Sequence, residues 1–203
     1  MEHDFWHQKW SEGRIGFHQP EVNAYLVSYW ERLCLAGGDK VFVPLCGKSK
    51  DMLWLRDRGH DVLGVELNPS ACLDFFAESG LVAETGDAVK FISHRCENLN
   101  LICGDFFALS KESLADVKGV YDRAALVALP KDMRADYANK LIELLPKGVK
   151  ILLVTLEFDR PQGPPFSVSG EEVNSLFEPR FKVKRLGGAV DGDRQEVVWL
   201  LSD

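Results

Sequence analysis

The sequence of 203 residues lacks glycine where nucleotide-binding turns need it. A turn that grips a dinucleotide pyrophosphate reads G-x-G-x-x-G, and a phosphate loop reads G-x-x-x-x-G-K-[ST]. Gly47-Lys48-Ser49 mimics the end of the second, but Phe42 stands where its first glycine belongs, and no other glycine joins Gly47 to make the first motif. Close backbone approach to a row of phosphates is therefore not expected, which argues against a nicotinamide oxidoreductase or a nucleotide hydrolase. Positive charge is also short: 24 Lys and Arg against 31 Asp and Glu leave a net charge of −7. A nucleic-acid partner needs a basic face, so none is expected. No apolar run approaches the ~20 residues of a membrane span, and the polar start Met1-Glu2-His3-Asp4 has no charged-then-apolar leader pattern. No membrane association is expected.

The five cysteines, Cys34, Cys46, Cys72, Cys96 and Cys103, are odd in number and form no C-x-x-C pair. Reduced thiols in a cytoplasmic protein are the expectation, with Cys34, Cys72 and Cys103 in apolar, buried settings. His3 and His7 have helical spacing, but no acid or cysteine completes a metal set around them. They read as solvated or capping side chains, and no metal site is expected.

What is present is a βαβ unit. The β-rich run Val41-Phe42-Val43 ends in the turn Pro44 to Lys48, a helix is expected from Ser49 to Arg58 with Gly59 as its stop, and a second apolar run, Val62 to Val65, delivers Glu66 at its end. Parallel strands aim their C-terminal ends at one crevice, where an acid about twenty residues past the turn can accept both hydroxyls of an adenosine ribose. Adenosine held without a phosphate cradle suggests S-adenosyl-L-methionine. The plainer reading is an ordinary βαβ unit with an exposed Glu66.

Further along, Val22, Tyr25, Leu26, Tyr29, Trp30 and Leu33 repeat at helical spacing, with Pro20 in the first turn. Asn68-Pro69-Ser70 opens a helix to Ser79, stopped by Gly80. A hairpin is expected around 89–92 and 99–102, with the third strand over Leu99 to Cys103. Val120-Tyr121 begins a strand ending near Arg123. A helix over Lys131 to Leu145, a buried strand over Val149 to Phe158, a stiff loop from Pro161 to Pro165, a helix over Gly170 to Phe177 and a closing hairpin through Asp191-Gly192-Asp193 complete the pattern. The alternation predicts one α/β domain over residues 1–203. Residues 1–38 form an N-terminal lid and helical extension, and 39–203 form a class I methyltransferase (Rossmann-like) core, a seven-stranded, mostly parallel sheet with helices on both faces.

Five segments in order resemble the thiopurine S-methyltransferase family. They are Trp10 with Gly13 and Phe17-His18-Gln19; Val43 to Met52; Asp57 to Glu66; Tyr121 to Leu129; and Gly163-Pro164-Pro165-Phe166. The resemblance implies an S-adenosyl-L-methionine-dependent S-methyltransferase that releases S-adenosyl-L-homocysteine. Its small-molecule acceptor would be an aromatic or heterocyclic thiol, and relatives are also associated with selenium or tellurium compounds. A cytoplasmic monomer is expected.

Strand-end geometry and the family pattern together place four residues. Glu66 accepts from the ribose, Leu45 lines the pocket beside the methionine and ribose, Asp105 accepts from the adenine amino group with Phe106 beside the ring, and Arg123 lies nearest the reacting centre, touching both cofactor and acceptor. The plainer readings are a helix N-cap or turn residue for Asp105 and a surface salt bridge to Asp122 or another acid for Arg123. The family pattern adds Trp10 closing over the cofactor, and Phe17, Pro165 and Phe166 walling a flat acceptor slot, with Asp159 at its mouth. The rival readings are a halide or small-thiol methyltransferase on the same sheet and a cofactor-binding module without transfer activity.

Overall fold

The structure, a computed structural model, describes residues 3–160 and 163–203. Met1-Glu2 of the polar start and Pro161-Gln162 of the predicted loop lie outside the described residues. A mixed sheet forms the centre. Its strands are β1 (Lys40–Val43), β2 (Asp61–Glu66), β3 (Glu84–Ala88), β4 (Phe91–Cys96), β5 (Leu99–Cys103), β6 (Val117–Arg123), β7 (Lys150–Glu157), β8 (Lys182–Asp191) and β9 (Arg194–Ser202). The spatial order is β3-β4-β5-β2-β1-β6-β7-β9-β8. Strands β5, β2, β1, β6 and β7 run parallel, and the two edges are antiparallel.

The helices are α1 (His3–Ser11), α2 (Ala24–Tyr29), α3 (Asp51–Asp57), α4 (Pro69–Ser79), α5 (Lys131–Leu144) and α6 (Gly170–Phe177). Side chains alternate across a strand, and β1 shows the consequence. Val41 and Val43 pack with Leu26, Met52, Leu55 and Phe75 from α2, α3 and α4. Phe42 packs on the opposite face with Tyr137, Leu141 and Phe177 from α5 and α6. Both faces of the parallel strands are thus buried, as a parallel sheet requires.

The class I methyltransferase fold is as expected, with nine strands among the described residues in place of seven. The seven expected strands correspond to β5-β2-β1-β6-β7-β9-β8, and β3-β4 extends one edge. All of β3 is exposed. An edge strand with no buried side chain leaves no apolar alternation to read. Val89 and Lys90, placed in a strand from sequence, form the β3–β4 turn instead, where Lys90 has φ of 69°.

The expected helix through Pro20 begins four residues later. Asn23 caps it, its side-chain oxygen accepting from the N–H groups of Tyr25 and Leu26, and it tightens into a 3₁₀ turn at Trp30. The helix expected from Ser49 starts at Asp51. Cys34 is exposed rather than buried, in a left-handed turn with φ of 52°. Helix α1 is an addition that the aromatic-rich N-terminal pattern did not specify.

Candidate functional site

The strands that flank the change of direction in the sheet, β2, β1 and β6, end at one crevice, the place where open α/β sheets bind ligands. A cavity of about 490 Å³ opens there, within the usual range for a small-molecule site. Its floor is made by the turns after β1, β2, β5 and β6, and its roof by α1 and the following segment to His18.

Glu66 joins these turns. Its side chain is buried. Oε2 accepts from Gly47 N–H at 2.8 Å and Oε1 from Asn68 N–H at 2.7 Å, while its own carbonyl accepts from Gly104 N–H at 2.8 Å. One residue therefore fixes the ends of β1, β2 and β5. Burial pushes its pKa up, against the opposing pull of the backbone N–H donors of Asn68, Gly47 and Leu67. The plain reading with an exposed Glu66 is not what the structure shows.

The β1 turn depends on unusual backbone. Leu45 has φ of 46° and Gly47 of 55°, and across the cavity Ala124, after β6, has φ of 62°. A left-handed conformation costs an L-residue about 1–2 kcal/mol, and such costs gather at binding sites. A Cβ on Gly47 would sit 3.4 Å from the Trp10 ring. The glycine thus supplies both the turn and the space beneath the indole.

Trp10 is buried and meets Phe17 edge-on, ring centroids 5.5 Å apart, and Trp6 meets the other side of Phe17 at 5.8 Å. His7 Nδ1 lies 3.2 Å from the Asn68 amide, and His3 Nε2 lies 3.6 Å from Asp105 Oδ2. The histidines of α1 therefore dock the helix on the residues around Glu66 and Asp105.

Asp105 faces the cavity and also caps a turn: its Oδ1 accepts from Phe107 N–H at 2.9 Å. The turn-cap reading is thus met by Oδ1, while Oδ2 lies beside His3. Phe106 lines the wall from below, stacked on Phe42 at 6.4 Å.

Arg123 closes the other end of the cavity. The alternative reading, a strut to Asp122 or another acid, does not appear among the described residues. Asp122 is turned into the core, where it accepts from Tyr137 Oη–H at 2.6 Å and Leu126 N–H at 3.2 Å, and burial raises its pKa to about 6. Arg123 instead donates from Nη1 to the Phe17 carbonyl at 3.3 Å and makes no ion pair among the described residues. Nearby His18 has its pKa lowered by burial first and then by Lys48, with Lys50 and Arg123 adding to it and Glu78 opposing.

Trp10, Phe17, Leu45, Glu66, Asp105, Phe106, Arg123 and Pro165 thus line one cavity. Phe166 does not. Its N–H donates to the Val127 carbonyl at 2.7 Å and its ring stands 5.8 Å from the Arg134 guanidinium, so it anchors the proline loop from behind. Asp159 is exposed and lies outside the lining. Sequence reasoning missed Val127, Leu129, Met133 and Arg194 in the lining. Val127 and Leu129 follow Arg123 in an apolar run that reads as core, and Met133 reads as part of the apolar face of helix α5. Arg194 sits beside a turn whose only sequence signal is the turn itself.

These residues fit S-adenosyl-L-methionine. The Glu66 carboxylate takes the backbone N–H groups of Gly47, Asn68 and Leu67, and of its roughly four lone-pair sites one stays open to a ribose hydroxyl.

The profile described as Thiopurine S-methyltransferase matches residues 1–198 of the chain. A thiopurine S-methyltransferase of Marinobacter nauticus is 46% identical over 188 residues, covering 92% of this chain and 86% of the relative. One from Pseudomonas putida is 52% identical over 179 residues, covering 87% and 83%. Among solved structures, an S-adenosylmethionine-dependent methyltransferase of Anabaena variabilis superposes with a TM-score of 0.71 at 15% identity, covering 98% of this chain and 94% of that one. The 1,6-didemethyltoxoflavin-N1-methyltransferase of Burkholderia thailandensis, solved with S-adenosylhomocysteine, superposes with a TM-score of 0.68 at 15% identity, covering 98% and 86%.

Proposed function

The chain belongs to the thiopurine S-methyltransferase family, and on that premise we propose that it methylates the sulfur of an aromatic or heterocyclic thiol from S-adenosyl-L-methionine. One observation carries the reading: the Glu66–Gly47 clasp and a carboxylate-free Arg123 share one cavity beneath Trp10 and Phe17.

Bound there, S-adenosyl-L-methionine supplies a methyl group on a sulfonium; the acceptor sulfur bonds to the methyl carbon as the carbon–sulfonium bond breaks, and its electron pair stays on S-adenosyl-L-homocysteine. The chain's own residues bind, orient and exclude water. Glu66 would take the ribose hydroxyls, Leu45 would line the site beside them, and Asp105 with Phe106 would take the adenine. A Trp10 face beside a sulfonium contributes roughly 0.5–2 kcal/mol. Phe17 and Pro165 would wall the acceptor.

Arg123 has two tasks. Its positive charge favours the acceptor's thiolate over its thiol, the thiol proton passing to solvent. Its remaining N–H donors orient the acceptor ring. Arg123 also holds the Phe17 carbonyl, so closure of residues 3–18 would place the guanidinium as well, which supports reading this segment as a lid. The five thiols are free, in keeping with a reducing compartment.

The test is transfer of a labelled methyl group to a panel of 6-mercaptopurine, benzenethiol, selenite and iodide. Turnover of the two thiols is expected. Turnover of iodide alone favours halide methylation, and binding of S-adenosyl-L-homocysteine with no turnover of any acceptor reduces the protein to a binding module.

A further inference from the structure

The protein carries a net charge of −7, yet its cavity is cationic. Lys9, Arg14, Lys48, Arg123 and Arg194 line it against the carboxylates Glu66 and Asp105. The cations differ in how they are satisfied. Lys48 Nζ lies 2.6 Å from Glu78 and 3.9 Å from Asp74, and Arg14 pairs with Glu12. Lys9 is in no ion pair among the described residues, but it rides on the lid, over the Phe5 ring at 5.3 Å. Arg123 and Arg194 come from strands, and neither is in an ion pair among the described residues. Among the described residues the Arg194 guanidinium meets the Phe158 ring, at 5.8 Å from its centroid.

The register of the sheet says which end of the cavity Arg194 serves. Gln195 stands opposite Glu157 in the β7–β9 pairing. Arg194 therefore sits where β7 gives way to the loop that carries Pro164 and Pro165, on the acceptor side and away from Glu66. Two guanidiniums without carboxylates then face one acceptor. A thiolate supplies a single negative charge, which methylation removes, and the cofactor's methionine carboxylate adds one more, for which Lys9 and Arg14 of the lid stand in the lining. Arg123 accounts for the thiolate's charge, and Arg194 is left over.

Resting on the thiol-methyltransferase reading, we propose that the acceptor carries a second, permanent anion, a carboxylate on its ring, and that Arg194 is the specificity residue that recognises it. The flat apolar wall of Phe17 and Pro165 takes the ring, Arg123 the sulfur and Arg194 the carboxylate. A guanidinium fork matches a carboxylate with two parallel hydrogen bonds. Arg194 is exposed at the mouth, so its contribution sits at the low end for charged hydrogen bonds and weakens with salt.

The experiment compares 3- and 4-mercaptobenzoate with their methyl esters, which keep ring and thiol and lose only the charge. In the wild-type enzyme kcat/KM for at least one acid is expected to exceed that of its ester about tenfold, with the ratio shrinking as salt is raised. Arg194→Gln should bring the ratio close to one, and Arg194→Lys should retain part of it. A second readout needs no turnover: in the presence of S-adenosyl-L-homocysteine, calorimetry should show the methylated acid binding more tightly than the methylated ester, and the difference should vanish in Arg194→Gln. Equal use of acids and esters by the wild-type enzyme overturns the proposal whether or not the variant folds, and leaves the thiol-methyltransferase reading standing. An acid preference that persists in folded Arg194→Gln overturns the assignment to Arg194. Failure to methylate any thiol, acid or ester, overturns the underlying reading instead.

Discussion

The two ends of the cavity are built by different means. At the cofactor end, Glu66, Leu45, Gly47 and Asp105 stand on the turns that directly follow strands, and the clasp is held by backbone N–H groups at 2.7 and 2.8 Å. At the acceptor end, Phe17, Arg123, Pro165 and Arg194 come from four separate stretches of chain, and the link between lid and sheet is one hydrogen bond of 3.3 Å. The clasp of the first end stands on the sheet itself, with Trp10 of the lid over Gly47 as its roof. The second is completed only when the lid lies down. A site built this way holds its donor by preformed geometry and leaves acceptor choice to parts that can vary without disturbing the sheet.

The largest expected effect comes from removing the lid. A chain lacking residues 1–18 should keep a cooperative melt and the circular dichroism of the sheet but lose on the order of a hundredfold or more in kcat/KM, since misplacement by about 1 Å already costs that much. Normal turnover by the truncated chain would mean that the acceptor end needs no lid. Failure to fold would make Trp10 and Phe17 core residues.

Gly47→Ala comes next, and it acts on the cofactor end. The residue has φ of 55° and faces the Trp10 ring. A left-handed alanine costs about 1–2 kcal/mol, so affinity for S-adenosyl-L-homocysteine or stability should fall by that amount, roughly tenfold if it appears in binding. Parallel calorimetry and thermal melts show where the cost lands. No change in either would mean that the turn has another conformation.

The smallest effect separates Asp122 from the chemistry of its neighbour. Burial raises its folded pKa to about 6, against an unfolded value near 3.9. A raised carboxyl pKa gives stability that is fully present below the unfolded value and is lost as pH rises through the folded one. Asp122 should therefore cost stability as pH climbs from about 4 to about 6. Asp122→Asn should flatten that part of the profile by a few degrees of Tm. A melt profile identical to wild type between pH 4 and 7 would place Asp122 outside this account.

The cofactor end was legible in the sequence because its signals are local. A strand, a glycine turn and an acid at the end of the next strand follow from spacing, and Glu66 proved buried and clasped as that geometry requires. Helices α4 and α6 were legible for the same reason, with Asn68 and Gly80 bounding the first and Ser169 capping the second. The acceptor end was legible only in pieces. Arg123 was placed by strand-end geometry together with the resemblance and Phe17 by the resemblance, but nothing in spacing brings residue 17 onto residue 123. Phe166 was misplaced because a loop pattern does not say which side chain turns inward. Arg194 went unnoticed because one arginine after a turn looks like any solvated charge. Strand β3, fully exposed, shows the same limit in the sheet: pattern reading detects burial, and what is not buried leaves little pattern.

The central claim, a donor end and an acceptor end served by different residues, is tested most directly by measuring two quantities on two variants. S-adenosyl-L-homocysteine affinity by calorimetry and kcat/KM for a thiol are determined for Glu66→Gln and Arg123→Ala. Glu66→Gln should weaken affinity about ten- to a hundredfold, the worth of charged hydrogen bonds, and should lower Tm as well, since an amide oxygen cannot serve both the Gly47 and Asn68 N–H groups. Arg123→Ala should leave affinity within about threefold while kcat/KM falls at least tenfold. If Arg123→Ala weakens S-adenosyl-L-homocysteine as much as Glu66→Gln does, or lowers Tm while kcat/KM stays at the wild-type value, the division of the cavity is contradicted.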